Sequence, residues 1–139
     1  MSTRASTAVA DTMVSNGLPT VLVVDDEPQV VWVIEFSLQG EGYETLTAHD
    51  GYEAMTQIER HHPDLMVLDV MMPRMDGWSV LEELGKLPAA DRPRVVMVTA
   101  LATAMDRARA ERLGAAAFVP KPFDKDDLVG VLQGLELAS

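Results

Sequence analysis

Apolar runs without polar alternation set the pattern of this chain. Residues 20–24, 65–68 and 94–100 consist mostly of Val, Leu and Met, with no regular polar positions between them. Runs of this kind are typical of strands buried on both faces, as in a parallel sheet. A weakly alternating segment at 43–48 and a short run at 115–119 predict two further strands. We therefore expect five strands.

The segments between these strands carry helix signals, such as Pro28 in a first turn and Gly40 and Gly42 after a last turn. We predict helices over residues 28–38, 52–61, 78–87, 103–113 and 125–137. Strand and helix then alternate five times, which predicts a doubly wound parallel α/β sheet with right-handed crossovers. Residues 1–19 lack periodicity, so we predict a disordered leader followed by one domain over 20–139.

The composition argues against several classes of function. A net charge of −11 argues against direct binding to nucleic acid or to an anionic membrane. The absence of cysteine excludes disulfides, thiolate metal sites and cysteine nucleophiles, and a reducing cytoplasm fits it. No apolar run approaches the roughly 18 residues that a membrane span needs. We therefore expect a cytoplasmic protein without a membrane segment.

Functional side chains stand at the C-terminal ends of four predicted strands: Asp25 and Asp26, Asp69, Thr99, and Lys121. The carboxyl ends of parallel strands form one edge of the sheet, where ligands bind. Three carboxylates together repel one another, and an all-oxygen set of this kind suits Mg²⁺. Lys121 and Thr99 add a cation and a hydroxyl that can contact a phosphoryl group. These residues predict phosphoryl transfer with Asp69 as the nucleophile.

Five short motifs follow one another along the chain: VVDDEP at 23–28, PDLMVLDVMMP at 63–73, MDG at 75–77, VTA at 98–100 and KPF at 121–123. In this order and spacing, the chain resembles the receiver domain of two-component response regulators over residues 21–135. The resemblance implies a flavodoxin-like, CheY-like sheet of five parallel strands with the order 2-1-3-4-5.

The resemblance implies that Asp69 accepts a phosphoryl group from a sensor histidine kinase or a histidine phosphotransfer protein. It also implies that Mg²⁺ is held by Asp25, Asp26, Asp69 and the main-chain carbonyl of Met71. A receiver of this kind catalyses only its own phosphorylation and dephosphorylation, so we do not expect a separate enzymatic activity.

The resemblance further implies how the signal leaves the site. Thr99 and Lys121 would contact the phosphoryl group, the Lys121–Pro122 bond would be cis, and Phe118 would turn inward as the switch aromatic. The face made by the fourth helix, fifth strand and fifth helix would then change its affinity for a downstream protein. A phosphorylation-dependent dimer is one such outcome.

The first helix carries two aromatic residues outside its expected core stripe. The helical period places that stripe on Val30, Val33, Ile34 and Leu38. Trp32 and Phe36, four residues apart, are neighbours on one face and predict a docking patch for a helix of the phosphodonor. Two alternatives are that the leader covers this pair or that Trp32 lies flat on its own helix.

Three alternative functions remain open at the level of sequence. We favour a stand-alone regulator, and the alternative is a receiver module from a larger response regulator or hybrid kinase. A phosphatase of the haloacid dehalogenase type also uses an aspartate nucleophile, but it needs a second Asp where this chain has Met71. A non-phosphorylated pseudo-receiver would be expected to lack one of the acidic, Thr or Lys positions, and none is lacking.

Overall fold

The computed structural model describes residues 17–100 and 103–137. Within these residues, five strands alternate with five α-helices. In chain order they are β1 (Thr20–Val24), α1 (Pro28–Gln39), β2 (Glu44–Ala48), α2 (Gly51–His61), β3 (Leu65–Asp69), α3 (Gly77–Leu84), β4 (Arg94–Thr99), α4 (Ala104–Arg112), β5 (Ala117–Pro120) and α5 (Lys125–Leu137). Residues 1–16 of the predicted leader lie outside the described residues, so the leader stays a prediction.

The sheet is entirely parallel, and its strand order is β2-β1-β3-β4-β5. This confirms the predicted order and the predicted doubly wound fold. The register pairs Val24 of β1 with Leu68 of β3, and Asp69 of β3 with Val98 of β4. Residues that follow β1 and end β3 and β4 therefore lie at the same edge of the sheet.

Alternate residues of the central strands pack into two apolar layers, one on each face of the sheet. Val21, Val23 and Val67 lie in the layer that includes α1 and α5. Leu22 and Leu68 lie in the layer that includes α2, α3 and α4. Because both faces are covered, the central strands β1, β3 and β4 need apolar residues at nearly every position. This is the origin of the uninterrupted runs in the sequence.

Helix α3 is shorter than predicted and ends at Leu84. The side chain of Arg92 donates hydrogen bonds to the carbonyl oxygens of Leu87 (2.8 Å) and Gly85 (3.1 Å), which lie just beyond the helix end. A short 3₁₀ helix, Ala89–Asp91, lies between α3 and β4. The residues after Leu84 were predicted as helix, but they form a turn that the side chain of Arg92 stabilises.

The predicted core stripe of α1 was wrong at Val33. Val31 is 4% exposed and packs with Ile34 and Leu38, whereas Val33 is 54% exposed and Val30 is only partly buried. At 100° per residue, Val33 lies roughly 120° from the centre of the buried face. Because α1 carries apolar residues on most of its circumference, hydrophobicity alone does not define which side faces the sheet.

Among the helices within the described residues, none has the length and apolar character that a membrane span requires.

Candidate functional site

Three carboxylates meet at the carboxyl edge of the sheet. Asp25 follows β1 directly, Asp26 follows it, and Asp69 is the last residue of β3. One oxygen atom from each carboxylate lies within 4.8 Å of the others. Asp25 and Asp69 are only 2% and 5% exposed, while Asp26 is exposed to solvent. The structure thus brings together the three acidic residues that the sequence predicted, in an arrangement that could hold a metal ion.

Lys121 places its ammonium group among these carboxylates. Its Nζ atom lies 2.8 Å from Oδ2 of Asp25 and 3.7 Å from Oδ1 of Asp69. The main-chain N–H of Lys121 donates a 2.8 Å hydrogen bond to the carbonyl of Thr99, which fixes the loop after β5 against the end of β4. The peptide bond between Lys121 and Pro122 is cis, as the resemblance implied. With one ammonium and three carboxylates, the edge carries a net negative charge that a bound cation could neutralise.

The electrostatics of the edge act most strongly on Asp69. Burial and the nearby charge of Asp25 raise the pKa of Asp69 from 3.8 to about 6, against the opposing effects of Lys121 and of a hydrogen bond from the main-chain N–H of Met71. Burial lowers the pKa of Lys121, but its hydrogen bond to Asp25 and the charge of Asp69 outweigh burial and raise it above its ordinary value. The site therefore disfavours the ionised form of Asp69, while the neighbouring Lys121 stays protonated.

Thr99 and Phe118 differ in how close they come to this edge. Thr99 is fully buried as the last residue of β4, one position beyond the residue that pairs with Asp69. Phe118 pairs with Met97, two positions before the end of β5, and its ring lies beneath the Arg107 guanidinium at 5.0 Å from the ring centroid. Thr99 thus belongs to the edge, whereas Phe118 lies beside α4.

The loop between β3 and α3 returns tightly against the strand that ends in Asp69. The N–H of Gly77 donates a 2.9 Å hydrogen bond to the carbonyl of Val70, and Asp76 caps α3 by accepting a hydrogen bond from the N–H of Ser79 at 2.9 Å. A Cβ atom at Gly77 would lie 2.9 Å from Cα of Val70 and closer still to the carbonyl oxygen of Asp69. The MDG motif therefore supplies a helix cap at Asp76 and allows the backbone at Gly77 to lie close to the end of β3. From the sequence, this motif contributed only to the family resemblance.

Met71 lies in the same loop, two residues beyond Asp69. Its side chain is 59% exposed, and its main-chain N–H is hydrogen-bonded to the Asp69 carboxylate. The residue that would lend its carbonyl to a metal ion is thus already attached to the acidic cluster through its own backbone.

Trp32 and Phe36 lie together on the outer face of α1. Their ring centroids are 5.6 Å apart, the ring planes differ by 16°, and the side chains are 64% and 69% exposed. Val33 extends this apolar surface. Trp32 stacks on Phe36 of its own helix, and among the described residues both rings are open to solvent. The alternative that the leader covers this pair concerns residues outside the described ranges.

Comparison with known proteins connects this site to a family. Residues 21–133 match the family described as the response regulator receiver domain. The probable transcriptional regulator ycf27 of Cyanophora paradoxa is 44% identical over 115 residues, which are 83% of this chain and 47% of that protein. The alkaline phosphatase synthesis transcriptional regulatory protein PhoP of Bacillus subtilis is 39% identical over 74% of this chain and 42% of its own length. The chain therefore spans about half the length of the curated relatives it matches.

Solved structures give the same result for the fold. A CheY-like receiver domain protein from Methanospirillum hungatei superposes with a TM-score of 0.80 at 28% identity, over 86% of this chain and 94% of that one. CheY of Borrelia burgdorferi, solved in a complex with CheX, BeF₃ and Mg²⁺, gives a TM-score of 0.80 at 29% identity, over 86% and 90% of the two chains.

Proposed function

The chain belongs to the family of response regulator receiver domains, and from this membership we propose that it is a phosphoacceptor switch in which Asp69 takes the phosphoryl group. One observation carries the proposal. The buried carboxylate of Asp69 ends a strand within 4.8 Å of two other carboxylates, with the ammonium of Lys121 at 3.7 Å. A nucleophile, a place for a metal ion and a cation for a phosphoryl oxygen are thus combined at one edge.

The proposed reaction transfers a phosphoryl group from a histidine side chain of a sensor kinase or phosphotransfer protein. A carboxylate oxygen of Asp69 attacks the phosphorus atom, the P–N bond breaks, and the imidazole of the donor leaves. Hydrolysis of the aspartyl phosphate by water later restores the carboxylate. Asp69 undergoes these two steps itself, and we propose no activity on a separate substrate.

We propose that the metal ion is Mg²⁺, held by Asp25, Asp26, Asp69 and the main-chain carbonyl of Met71. The donors are all oxygen atoms, and the edge lies open to water at Asp26, which suits a cation that retains several waters. When bound, Mg²⁺ would neutralise negative charge on the attacking carboxylate of Asp69 and on the phosphoryl oxygens. Lys121 would supply the remaining positive charge as a point contact.

The output is proposed to pass through Thr99 and Phe118. The buried hydroxyl of Thr99 would move toward a phosphoryl oxygen, and Phe118 would leave its position beneath Arg107 and turn inward. The face formed by α4, β5 and α5 would then change its affinity for a downstream protein or for a second copy of the chain.

The exposed aromatic pair of α1 is proposed to dock a helix of the phosphodonor. Helix α1 begins two residues after Asp26, so Trp32 lies about one turn from the acidic edge. Trp32→Ala should slow phosphotransfer from the cognate kinase but leave phosphorylation by the small donor acetyl phosphate unchanged. An unaltered rate from the kinase would exclude this docking.

The chain spans about half the length of the two relatives named above, a probable transcriptional regulator and a transcriptional regulatory protein, and that role is a property of those proteins. Action as a stand-alone regulator stays a prediction. The absence of direct nucleic-acid contact is proposed for this receiver from its charge of −11, and a cytoplasmic location likewise stays an expectation.

The experiment that tests the proposal is intact-mass measurement after incubation with acetyl phosphate and Mg²⁺. The wild type should gain one phosphoryl group, and Asp69→Ala and an EDTA-treated sample should gain none. If acetyl phosphate gives no product but a purified histidine kinase does, the proposed function stands and the chain accepts the phosphoryl group only from protein donors. Mg²⁺ binding without phosphorylation by either donor would instead assign the chain to the pseudo-receivers and refute the proposed function.

A further inference from the structure

The acidic edge is connected to the start of α2 through the backbone. The N–H of Asp25 donates a hydrogen bond of 3.2 Å to the carbonyl of Ala48, the last residue of β2. Two residues later, Asp50 caps α2 by accepting a 2.8 Å hydrogen bond from the N–H of Glu53. The position of Asp50 is therefore determined by the same strand ends that position Asp25.

The loop that carries Met71 reaches the same point from the other side. The N–H of Gly51 donates a 3.1 Å hydrogen bond to the carbonyl of Met75, and a Cβ atom at Gly51 would lie 2.6 Å from Cγ of Met75. Next to this contact, the guanidinium of Arg74 is hydrogen-bonded to the second carboxylate oxygen of Asp50. Asp50 thus uses one oxygen for the helix cap and the other for the loop.

We infer that Asp50 and Arg74 form a clasp that positions the β3–α3 loop, and with it the carbonyl of Met71, relative to Asp25 and Asp69. The inference rests on the proposed function, because the position of Met71 matters only if a metal ion binds there. Arg74 is a positioning residue, since it touches Asp50 and not the acidic cluster. The clasp joins the loop after β3, which carries Met71, to the loop after β2. The end of β2 is in turn hydrogen-bonded to Asp25.

Backbone geometry supports a specific role for Arg74. Its φ of 65° lies in the left-handed region, which a residue with a Cβ rarely adopts without compensation. A hydrogen bond from Arg74 also lowers the pKa of Asp50 below its usual value, so the pair is ionised at neutral pH. The side chain of Arg74 is 64% exposed and that of Asp50 13%, and solvent at Arg74 limits the strength of the pair.

The sign of the effect on metal binding separates the clasp from simple electrostatics. Removing a cation such as Arg74 should strengthen Mg²⁺ binding or leave it unchanged if charge alone matters. Removing a clasp that holds a ligand in place should weaken it. For an ion pair of this exposure we expect Arg74→Ala to raise the Kd for Mg²⁺ by about two- to five-fold.

The experiment measures Mg²⁺ binding by calorimetry and, without metal, hydrogen exchange at the N–H of Gly51. Arg74→Ala and Arg74→Gly should both weaken Mg²⁺ binding and speed exchange at Gly51. Since glycine tolerates the left-handed backbone, a common effect assigns the loss to the guanidinium and not to backbone strain. Arg74→Lys, which keeps the charge, should restore part of both properties.

Two further variants complete the design. Asp50→Asn keeps a good helix cap but loses the ion pair, and combined with Arg74→Ala it should weaken Mg²⁺ binding no more than either change alone. Lys86→Ala removes a cation and an exposed ion pair with Glu83 (2.7 Å) on α3, and it should leave both properties unchanged.

Tighter or unchanged Mg²⁺ binding in Arg74→Ala, with normal exchange at Gly51, would overturn the clasp. If the wild type binds no Mg²⁺ at all, the metal part of the proposed function fails, and the exchange at Gly51 still decides whether Arg74 positions the loop.

Discussion

The burial of Asp69 should cost the metal-free protein stability, and Asp69→Asn should recover it. The pKa of Asp69 is raised from 3.8 to about 6, chiefly by burial and by the charge of Asp25. A carboxyl whose pKa is higher in the folded state favours folding when protonated and opposes it when ionised. The asparagine side chain keeps the shape and an acceptor for the Met71 N–H, but it carries no charge.

The magnitude follows from the size of the shift. A rise from 3.8 to about 6 corresponds to about 3 kcal/mol between the two protonation states. Solvent reaches the edge through Asp26 and screens part of this, so we expect Asp69→Asn to raise the free energy of unfolding by about 1–2 kcal/mol at pH 7.5. Below pH 3.8 the carboxyl is neutral in both states, so the difference should disappear there. It should grow as the pH rises from 3.8 to about 6 and stay constant above that.

The assay is urea unfolding in EDTA at several pH values, with Glu82→Gln on the exposed side of α3 as the matched loss of one negative charge. Glu82→Gln should change the stability by less than about 0.5 kcal/mol. Addition of Mg²⁺ should stabilise the wild type more than Asp69→Asn, because binding to the folded state adds to its stability. A variant that is less stable than the wild type at pH 7.5, or a difference independent of pH, would refute the reasoning.

Three further predictions concern the same edge. Gly77→Ala should lower the free energy of unfolding by about 1–3 kcal/mol, because its Cβ would clash with the backbone of Asp69 and Val70. Gly130→Ala, in open space within α5, should raise the free energy of unfolding by about 0.5–1 kcal/mol, and urea unfolding measures both changes. Mg²⁺ affinity, measured by calorimetry, should fall about tenfold between pH 7.5 and pH 5, because protonation of Asp69 competes with the metal. Lys121→Met should tighten Mg²⁺ binding, since its ammonium competes for Asp25 and Asp69, and yet slow phosphorylation by acetyl phosphate; equal affinity in the variant would contradict this role.

The sheet was predictable because burial on both faces leaves a direct mark on the sequence. A strand covered by helices on two sides cannot alternate, so β1, β3 and β4 appear as continuous apolar runs, and the residue that interrupts each run lies at the ligand-binding edge. The positions of Asp25, Asp69 and Thr99 at that edge follow from this pattern alone. The family match then confirmed the resemblance that the motifs had indicated.

The side of α1 that faces the sheet was not predictable in the same way. Its apolar residues cover most of the helix surface, so more than one buried stripe fits the 3.6-residue period. The choice of Val31 over Val33 depends on how the helix packs against α5 and the sheet, which the sequence of α1 does not contain. The same ambiguity hid how far Val33 extends the exposed surface beside Trp32 and Phe36.

Contacts between distant segments escaped sequence reasoning for a different reason. Neither Asp50 nor Arg74 stands out in the sequence, because nothing local to either segment indicates the other. Twenty-four positions separate Asp50 from Arg74, and only the parallel order of β2, β1 and β3 brings their loops together. A motif identifies such residues by their position, whereas their physical role depends on the fold.

The position of Lys121 suggests how one edge accommodates each charge state of the proposed cycle. In the structure the ammonium lies closer to Asp25, at 2.8 Å, than to Asp69, at 3.7 Å. A divalent cation would take over the neutralisation of Asp25, and this would release Lys121 toward the oxygen atoms of a phosphoryl group on Asp69. The backbone of Lys121 is meanwhile held by its hydrogen bond to the Thr99 carbonyl. That same hydrogen bond joins the main chain of Lys121 to the end of β4, so in the proposed cycle a backbone shift at Thr99 would also move Lys121.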